Sequence, residues 1–454
     1  MNMVSMKKEV NVGLLVTKSG RWPQELPEKR LAEYGEWVRS NLDGIRPLCF
    51  PRVVSTHADM EECAEFFLRN QVEMILLVYG AFTGDDIPCG LADKCRCPIV
   101  LWAPREEKWE REDRLYANAL CSAAMNGASL MRIHAPYRVV FGNKEEARVY
   151  GEIRKIVLAQ AVVKNLRGMT FGLFGYRPTA FYNCAFDEMT IRRTFGVSFE
   201  ETDLKVVFDT MAALPPKQVE EEMRRVSGMW DTSALPEGHL ENHARLYLAL
   251  KILVKQQGYD YSAIKCWPEM GALHTTPCAV LGRLADEKIG IACEGDVDAG
   301  LAAVVQTLLT GSSPFITDLI RVEEEENTVT FWHCGNAAPS LHDPADGVTM
   351  CNHPLAGQGS AFWCALKSGP VTAARFTNID GQYRLFLLRG EALPTRRCTR
   401  GAMINVKVET PVLELVQKIA QTGMSHHYSV VWQDVAEEMA SVAHALNIPV
   451  IELS

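Results

Sequence analysis

Short apolar runs alternate with amphipathic ones through the first third of the chain. The runs "VNVGLLVT", "LCFPRVV", "VEMILLVYG" and "CPIVLWAP" have the length of buried strands. Between them, "PEKRLAEYGEWVRSNL" and "HADMEECAEFFLRN" space their apolar residues as one face of a helix does. This order predicts a doubly wound parallel sheet, closed by a long helix from Lys144 to about Asn165. A second α/β unit opens at "MTFGLFGYRP", an apolar strand entering a glycine turn. It continues through "LKVVFDTM", the helical stretches "KQVEEEMRRVSGMW" and "HARLYLALKILVKQQ", and "IGIACEGDVDAGLAAVVQTLLTG". The glycines of "GLFGYRP" are an incomplete phosphate-loop pattern and read as a plain strand-to-helix turn. Beyond about Ser313 the period changes to two, in "PFITDLIRV", "NTVTFWHCG", "FWCALKSGPVTAARF" and "DGQYRLFLLRG", with Asp380 and Gly381 marking a hairpin turn. The expected architecture is two doubly wound α/β domains, residues 1–166 and 167–313, followed by a β-rich, barrel-like C-terminal domain, residues 314–454, with one helix near its end.

A chain of 454 residues exceeds one ordinary core, in agreement with several domains. Its net charge of -9 argues against nucleic acid or an anionic membrane as the main partner, since both select a basic surface. No apolar run reaches the ~20 residues a spanning helix needs, and the opening residues pass straight into a strand pattern, so a cytoplasmic protein is expected. The 14 cysteines are spread over the chain, several inside apolar stretches such as Cys184, Cys293 and Cys364, and read as reduced core thiols. Cys89, Cys95 and Cys97 lack the usual spacing of a zinc site.

Candidate chemistry gathers in three places. Glu294 follows the short buried-strand pattern Ile289 to Cys293, at the carboxyl end where open α/β sheets bind ligands. Asp296 and Asp298 stand just before a helix and read as caps of its amide groups. In "SPFITDLIRV" the alternation sets Asp318 on one face with Ile316 and Ile320, where a carboxylate needs a partner or a metal. A two-residue turn centred on Glu325 and Glu326 would place His333 directly opposite Asp318, with Cβ atoms ~5 Å apart. That pairing suits either two ligands of one ion or a structural Asp–His pair. Last, "SHHYSVVWQD" sets His426 and His427 ahead of an amphipathic helix with Val435, Met439, Val442 and Leu446 on one face and Asp434 as its cap. Adjacent side chains of an extended segment point apart, so one histidine is expected to reach a given site.

Taken together, "CEGD" with Glu294, "FITDL" with Asp318, "WHCG" with His333 and "GMSHHYSV" ahead of "NIPVIEL" resemble the L-fucose isomerase and L-arabinose isomerase family of metal-dependent aldose–ketose isomerases. The likeness follows the whole chain in order and includes "GYRP" and "CWPEM". It implies two α/β domains with a β-rich third. It also implies a divalent metal, most often Mn2+ with Co2+ or Mg2+ as alternatives, held by Glu294, Asp318, His333 and His427. Glu294 and Asp318 would also move the proton through an enediol, and Glu269 and Trp267 would bind the sugar. The resemblance further implies a homo-oligomer whose neighbouring subunits complete each active site. The expected substrate is an open-chain sugar such as L-fucose, L-arabinose or D-arabinose.

Two departures bear on that substrate: "CEGD" replaces the corresponding acid motif of the fucose isomerases, and the asparagine usual shortly before the late histidine is absent, with Gly423 and Met424 nearby. Arg21 in "KSGRWPQ" and Arg177 in "GYRP" lie on loops after strands and could hold an anionic group, which raises sulfoquinovose as the alternative substrate. Two α/β units flanking a cleft also describe a non-catalytic sugar-binding protein. A metal-dependent hydrolase, which would favour a zinc-type ligand pair such as H-x-x-x-H, is a third option.

Overall fold

The computed structural model describes residues 6, 8–106 and 115–453. The chain divides into two compact units, Met6–Lys164 and a second from Asn165 onward. Among the described residues, no helix is long and apolar enough to cross a membrane, and no cysteine is in a disulfide.

In the first unit, strands β1 (Val10–Thr17), β2 (Ile45–Cys49), β3 (Met74–Tyr79), β4 (Ile99–Ala103) and β5 (Tyr137–Phe141) form one parallel sheet in the order β2-β1-β3-β4-β5. Side chains alternate across it and pack against helices on both faces. Val12, Leu14 and Val16 meet Tyr34, Val38 and Ile153 on one side, while Leu15, Ile75 and Leu77 meet Met60, Phe67 and Leu91 on the other. This is the doubly wound sheet that the periodicity predicts.

The second unit carries β6 (Thr170–Phe174), β7 (Ser198–Thr202), β8 (Asp231–Ala234), β9 (Tyr261–Ile264), β10 (Ile291–Ala292), β11 (Phe315–Glu323), β12 (Thr328–His333), β13 (Thr349–Cys351), β14 (Ala361–Ala365), β15 (Gly369–Ile379), β16 (Gln382–Leu393), β17 (Ala402–Lys407), β18 (His427–Val431) and β19 (Val450–Glu452). A parallel sheet β10-β9-β6-β7 accounts for the second α/β layer. The stretch "LKVVFDTM" lies in the helix Leu204–Ala213, started by Asp203, whose carboxylate accepts from Lys205 N–H. The remaining strands form one long sheet in which β16, β15, β18, β11, β12 and β17 follow one another, and β16 pairs again with β17, closing a six-stranded barrel. Strand β8 lies within residues 167–313 yet pairs with β13 of the barrel sheet, so the second and third expected domains share strands in one compact unit.

Asp380 and Gly381, both at positive φ, make the two-residue turn of the β15–β16 hairpin in the expected place. The C-terminal part holds two helices rather than one, Val412–Thr422 and Ala436–Ala445. A further helix, Val297–Thr310, runs from the end of β10 and is buried on nearly every side, as an all-round apolar sequence requires. Gln306 fastens it to the barrel, its Nε2 donating 3.0 Å bonds to Thr372 O on β15 and Ser429 O on β18. Gln306→Leu should leave these groups unmatched and lower stability by about 1–3 kcal/mol, measured as a shift of the urea unfolding midpoint.

Candidate active site

Three parallel strands of the second unit deliver loops to one place: Arg177 follows β6, Trp267 follows β9 and Glu294 follows β10. Glu294 leaves the strand in a left-handed turn, φ 58° and ψ 20°. A β-carbon at the next residue, Gly295, would stand 2.3 Å from Tyr176 O, so only glycine lets the turn close against that loop. A non-glycine residue held in this region costs about 1–2 kcal/mol and is characteristic of functional turns.

The barrel supplies the other groups. Strands β11 and β18 are antiparallel neighbours with Asp318 directly opposite His427, so both side chains leave the same face. His427 Nε2 lies 3.5 Å from Glu294 Oε2 and 3.7 Å from Asp318 Oδ1. Potential ligand atoms of Glu294, His333 and His427 all fall within 4.8 Å of one another. Glu294 Oε2, Asp318 Oδ1, His333 Nδ1 and His427 Nε2 are buried without a hydrogen-bond partner. Buried polar atoms are ordinarily satisfied, and the Glu294 oxygen converging with two imidazole nitrogens, with the Asp318 oxygen beside His427, is a donor set that fits a divalent cation.

A family model described as "L-fucose isomerase, C-terminal domain" matches residues 331–454. A relative named sulfoquinovose isomerase from Clostridium sp. (strain MSTE9) is 30% identical over 359 residues, 78% of this chain and 80% of the relative. The chain belongs to the L-fucose isomerase family. Proteins of the same name from Alkalicoccus urumqiensis and Priestia megaterium (strain ATCC 12872 / QMB1551) are 28% and 24% identical, over 80% and 91% of this chain and 82% and 92% of their own lengths. The protein is therefore an aldose–ketose isomerase, and the non-catalytic sugar-binding alternative is set aside.

In this isomerase the site rests on a buried ion pair. His427 Nδ1–H donates to Asp296 Oδ2 at 2.8 Å, so in the neutral ring it is the Nε2 lone pair that faces the carboxylates. Arg375, fully buried, donates to both oxygens of Asp296 at 2.8 and 3.1 Å and to the His427 carbonyl at 3.2 Å. Burial alone would raise the Asp296 pKa, but the Arg375 charge and the His427 bond hold it well below the usual carboxylate range. Burial pushes His333 down to about 4, which keeps it neutral as a ligand must be. For Glu294, burial opposes ionisation, yet the three histidines around it win and lower its pKa.

Asp296 is the expected helix cap, accepting from Ala299 N–H at 3.0 Å, and in addition holds His427. Asp298 does not cap; it turns onto the Tyr383 hydroxyl, which donates to it at 2.9 Å. The expected Asp318–His333 pairing is not formed. The register holds from Glu323↔Thr328 to Arg321↔Thr330, then a bulge between Leu319 and Arg321 brings Trp332 opposite Asp318 and leaves Ile320 half exposed. His333 reaches the site as the last residue of β12.

His426 also departs from expectation, because it precedes β18 and escapes strand alternation. Its ring lies against that of His427, tilted by 34° with centroids 3.9 Å apart, and its Nε2 lies 3.5 Å from Glu294 Oε2. Asn183 Nδ2–H donates to His426 Nδ1 at 2.6 Å, which puts the ring proton on Nε2. His426 thus presents a donor to Glu294 where His427 presents a lone pair.

Trp267 is partly exposed, and Phe181 bridges it to His426 with centroids at 5.4 and 5.7 Å, an apolar wall beside the histidines. Glu269 is engaged by Lys265 in an ion pair. Arg177 lies between the rings of Tyr176 and Tyr182, 5.3 and 5.1 Å from their centroids, and its Nε is buried without a partner. Arg21 belongs to the first unit, on an exposed loop after β1.

Arg375→Met should strand a buried carboxylate and cost about 3–5 kcal/mol of stability in urea unfolding. A second prediction concerns Asp298, which burial raises to about 7 from 3.8. The folded state then binds a proton that the unfolded state releases, so wild-type stability falls as pH rises from about 4 to about 7. The unfolding midpoint of Asp298→Asn should therefore gain on the wild type across that window and stay level outside it.

Proposed function

We propose that the protein is a metal-dependent sulfoquinovose isomerase, converting the open-chain aldose to its 6-deoxy-6-sulfo ketose. The observation that carries the substrate reading is Arg177. Among the described residues its guanidinium has no carboxylate partner, and its backbone packs against Gly295, next to Glu294. A sulfonate is the complement such a group lacks. The names of the relatives support this anionic substrate over L-fucose, L-arabinose or D-arabinose.

Glu294, Asp318, His333 and His427 would hold the metal, with Mn2+ favoured by oxygen and imidazole donors and Co2+ or Mg2+ compatible with them. Bound there, a divalent ion would supply Lewis acidity that polarises the sugar carbonyl. Glu294 and Asp318 carry the proton traffic: one carboxylate takes the proton from C2, the carbonyl oxygen is protonated to give the enediol, and loss of the O2 proton with protonation of C1 yields the ketose. His427 is kept in the ligating tautomer by Asp296, and Trp267 with Phe181 offers an apolar face to the sugar ring carbons.

The test is chelation followed by reloading with Mn2+, with sulfoquinovose, L-fucose, L-arabinose and D-arabinose compared. Turnover should be fastest on sulfoquinovose, and Arg177→Met should raise KM for it by about 10- to 150-fold while leaving neutral aldoses unaffected. Conversion of a neutral aldose with none of sulfoquinovose sinks the substrate reading. His427→Gln should weaken Mn2+ binding by about 10- to 100-fold in calorimetric titration, and His426→Gln should weaken it less.

A further inference from the structure

The loop between β13 and β14 carries a histidine that the ligand set does not use. His353 is held within its own loop: its N–H donates to Gln358 O at 3.0 Å, and its carbonyl accepts from Gly357 N–H at 3.0 Å. Gln358 is tied in turn to His274 Nδ1 at 3.0 Å, and Ser360 N–H donates to Thr276 Oγ1 at 3.1 Å, so both contacts fix the loop against the segment after β9. The loop runs into β14, where Phe362 N–H donates to the carbonyl of Gly335, two residues beyond His333.

The imidazole has one proton arrangement open to it. Leu355 N–H and Ala356 N–H both donate to His353 Nδ1, at 3.2 and 3.0 Å. A backbone amide can only donate, so Nδ1 must present its lone pair and the ring proton sits on Nε2. Protonating Nδ1 would set N–H against two N–H groups, so the same contacts disfavour the imidazolium. Burial also lowers the pKa of this ring, against the pull of Glu294. Cys351, two residues before His353, packs in one buried cluster with Cys334, the residue after His333, which sets the start of this loop beside the ligand set. Among the described residues the hydrogen bonds of the His353 ring are both made at Nδ1, and the side chain is partly exposed.

We propose that His353 is a further catalytic residue, a neutral Nε2–H donor to the substrate oxygen on which charge develops during enolisation. The inference rests on the isomerase site described above. A neutral imidazole is suited to the task, because it donates to a developing oxyanion without holding a full charge against the cation and carboxylates nearby. The two backbone amides oppose protonation of the ring, so the neutral donor persists to lower pH than in an ordinary histidine.

The test compares wild type, His353→Leu and His353→Gln as Mn2+-loaded holoenzymes, with Mn2+ affinity measured by calorimetry on each. Glutamine can accept from the two amides through Oε1 and donate through Nε2. His353→Leu should lower kcat by about 100- to 1,000-fold with Mn2+ affinity unchanged, and His353→Gln should recover at least tenfold of it. Histidine 15N spectra of the metal-free protein should show His353 protonated at Nε2 alone. A leucine variant within about twofold of wild-type kcat, Mn2+ affinity falling in step with kcat, or a proton on Nδ1 would each overturn the proposal. Failure of the sulfoquinovose reading is distinguishable, because the wild type would then act on another aldose of the panel, on which the same variants are compared.

Discussion

The ion pair between Asp296 and Arg375 is the constraint on which the site depends. It is fully buried, and its two charges are matched through four hydrogen bonds to the carboxylate: two from Arg375, one from His427 and one from the amide of Ala299. A charge pair taken this far out of water contributes little net stability. What it contributes is definition. One carboxylate simultaneously starts the buried helix, fixes which nitrogen of His427 bears the proton and ties a barrel strand to the end of β10.

That arrangement explains how ligands from separate sheets meet. Glu294 and Asp296 lie on one short segment, so the turn that aims the first also delivers the second. Asp318 and His427 are cross-strand neighbours, so the barrel presents them as a pair. The helix Val297–Thr310, fastened by Gln306, keeps the segment and the barrel in one register. His353 stands apart, on a loop braced by its own backbone bonds, so its donor is set independently of the ion pair.

Much of this was legible in the chain. The parallel sheet of the first unit follows from apolar runs of strand length, and the β15–β16 hairpin from Asp380 and Gly381. Glu294 could be placed at a strand's carboxyl end because the apolar run stops there. What was not legible had causes outside the local pattern. The helix Val412–Thr422 is capped by the side chain of Asn327, far away in sequence, which accepts from Val412 N–H at 3.0 Å. The bulge after Leu319 has no glycine to announce it, and it alone moves His333 out of register with Asp318. Asp296 reads locally as a cap, and its second role depends on Arg375. An arginine in the apolar strand "VTAARF" was the available signal, since a buried guanidinium requires an acid.

The hairpin of β15 and β16 carries Arg375 on one arm and Tyr383 on the other, and these two residues serve Asp296 and Asp298, one ionised and the other raised toward neutrality. Strand alternation ties each arm's facing to the length of the turn between them. One extra residue at Asp380–Gly381 would rotate the Tyr383 arm away and take its hydroxyl from Asp298. The length of an exposed turn is thus dictated from inside the protein, by the sorting of charge between two carboxylates only two residues apart.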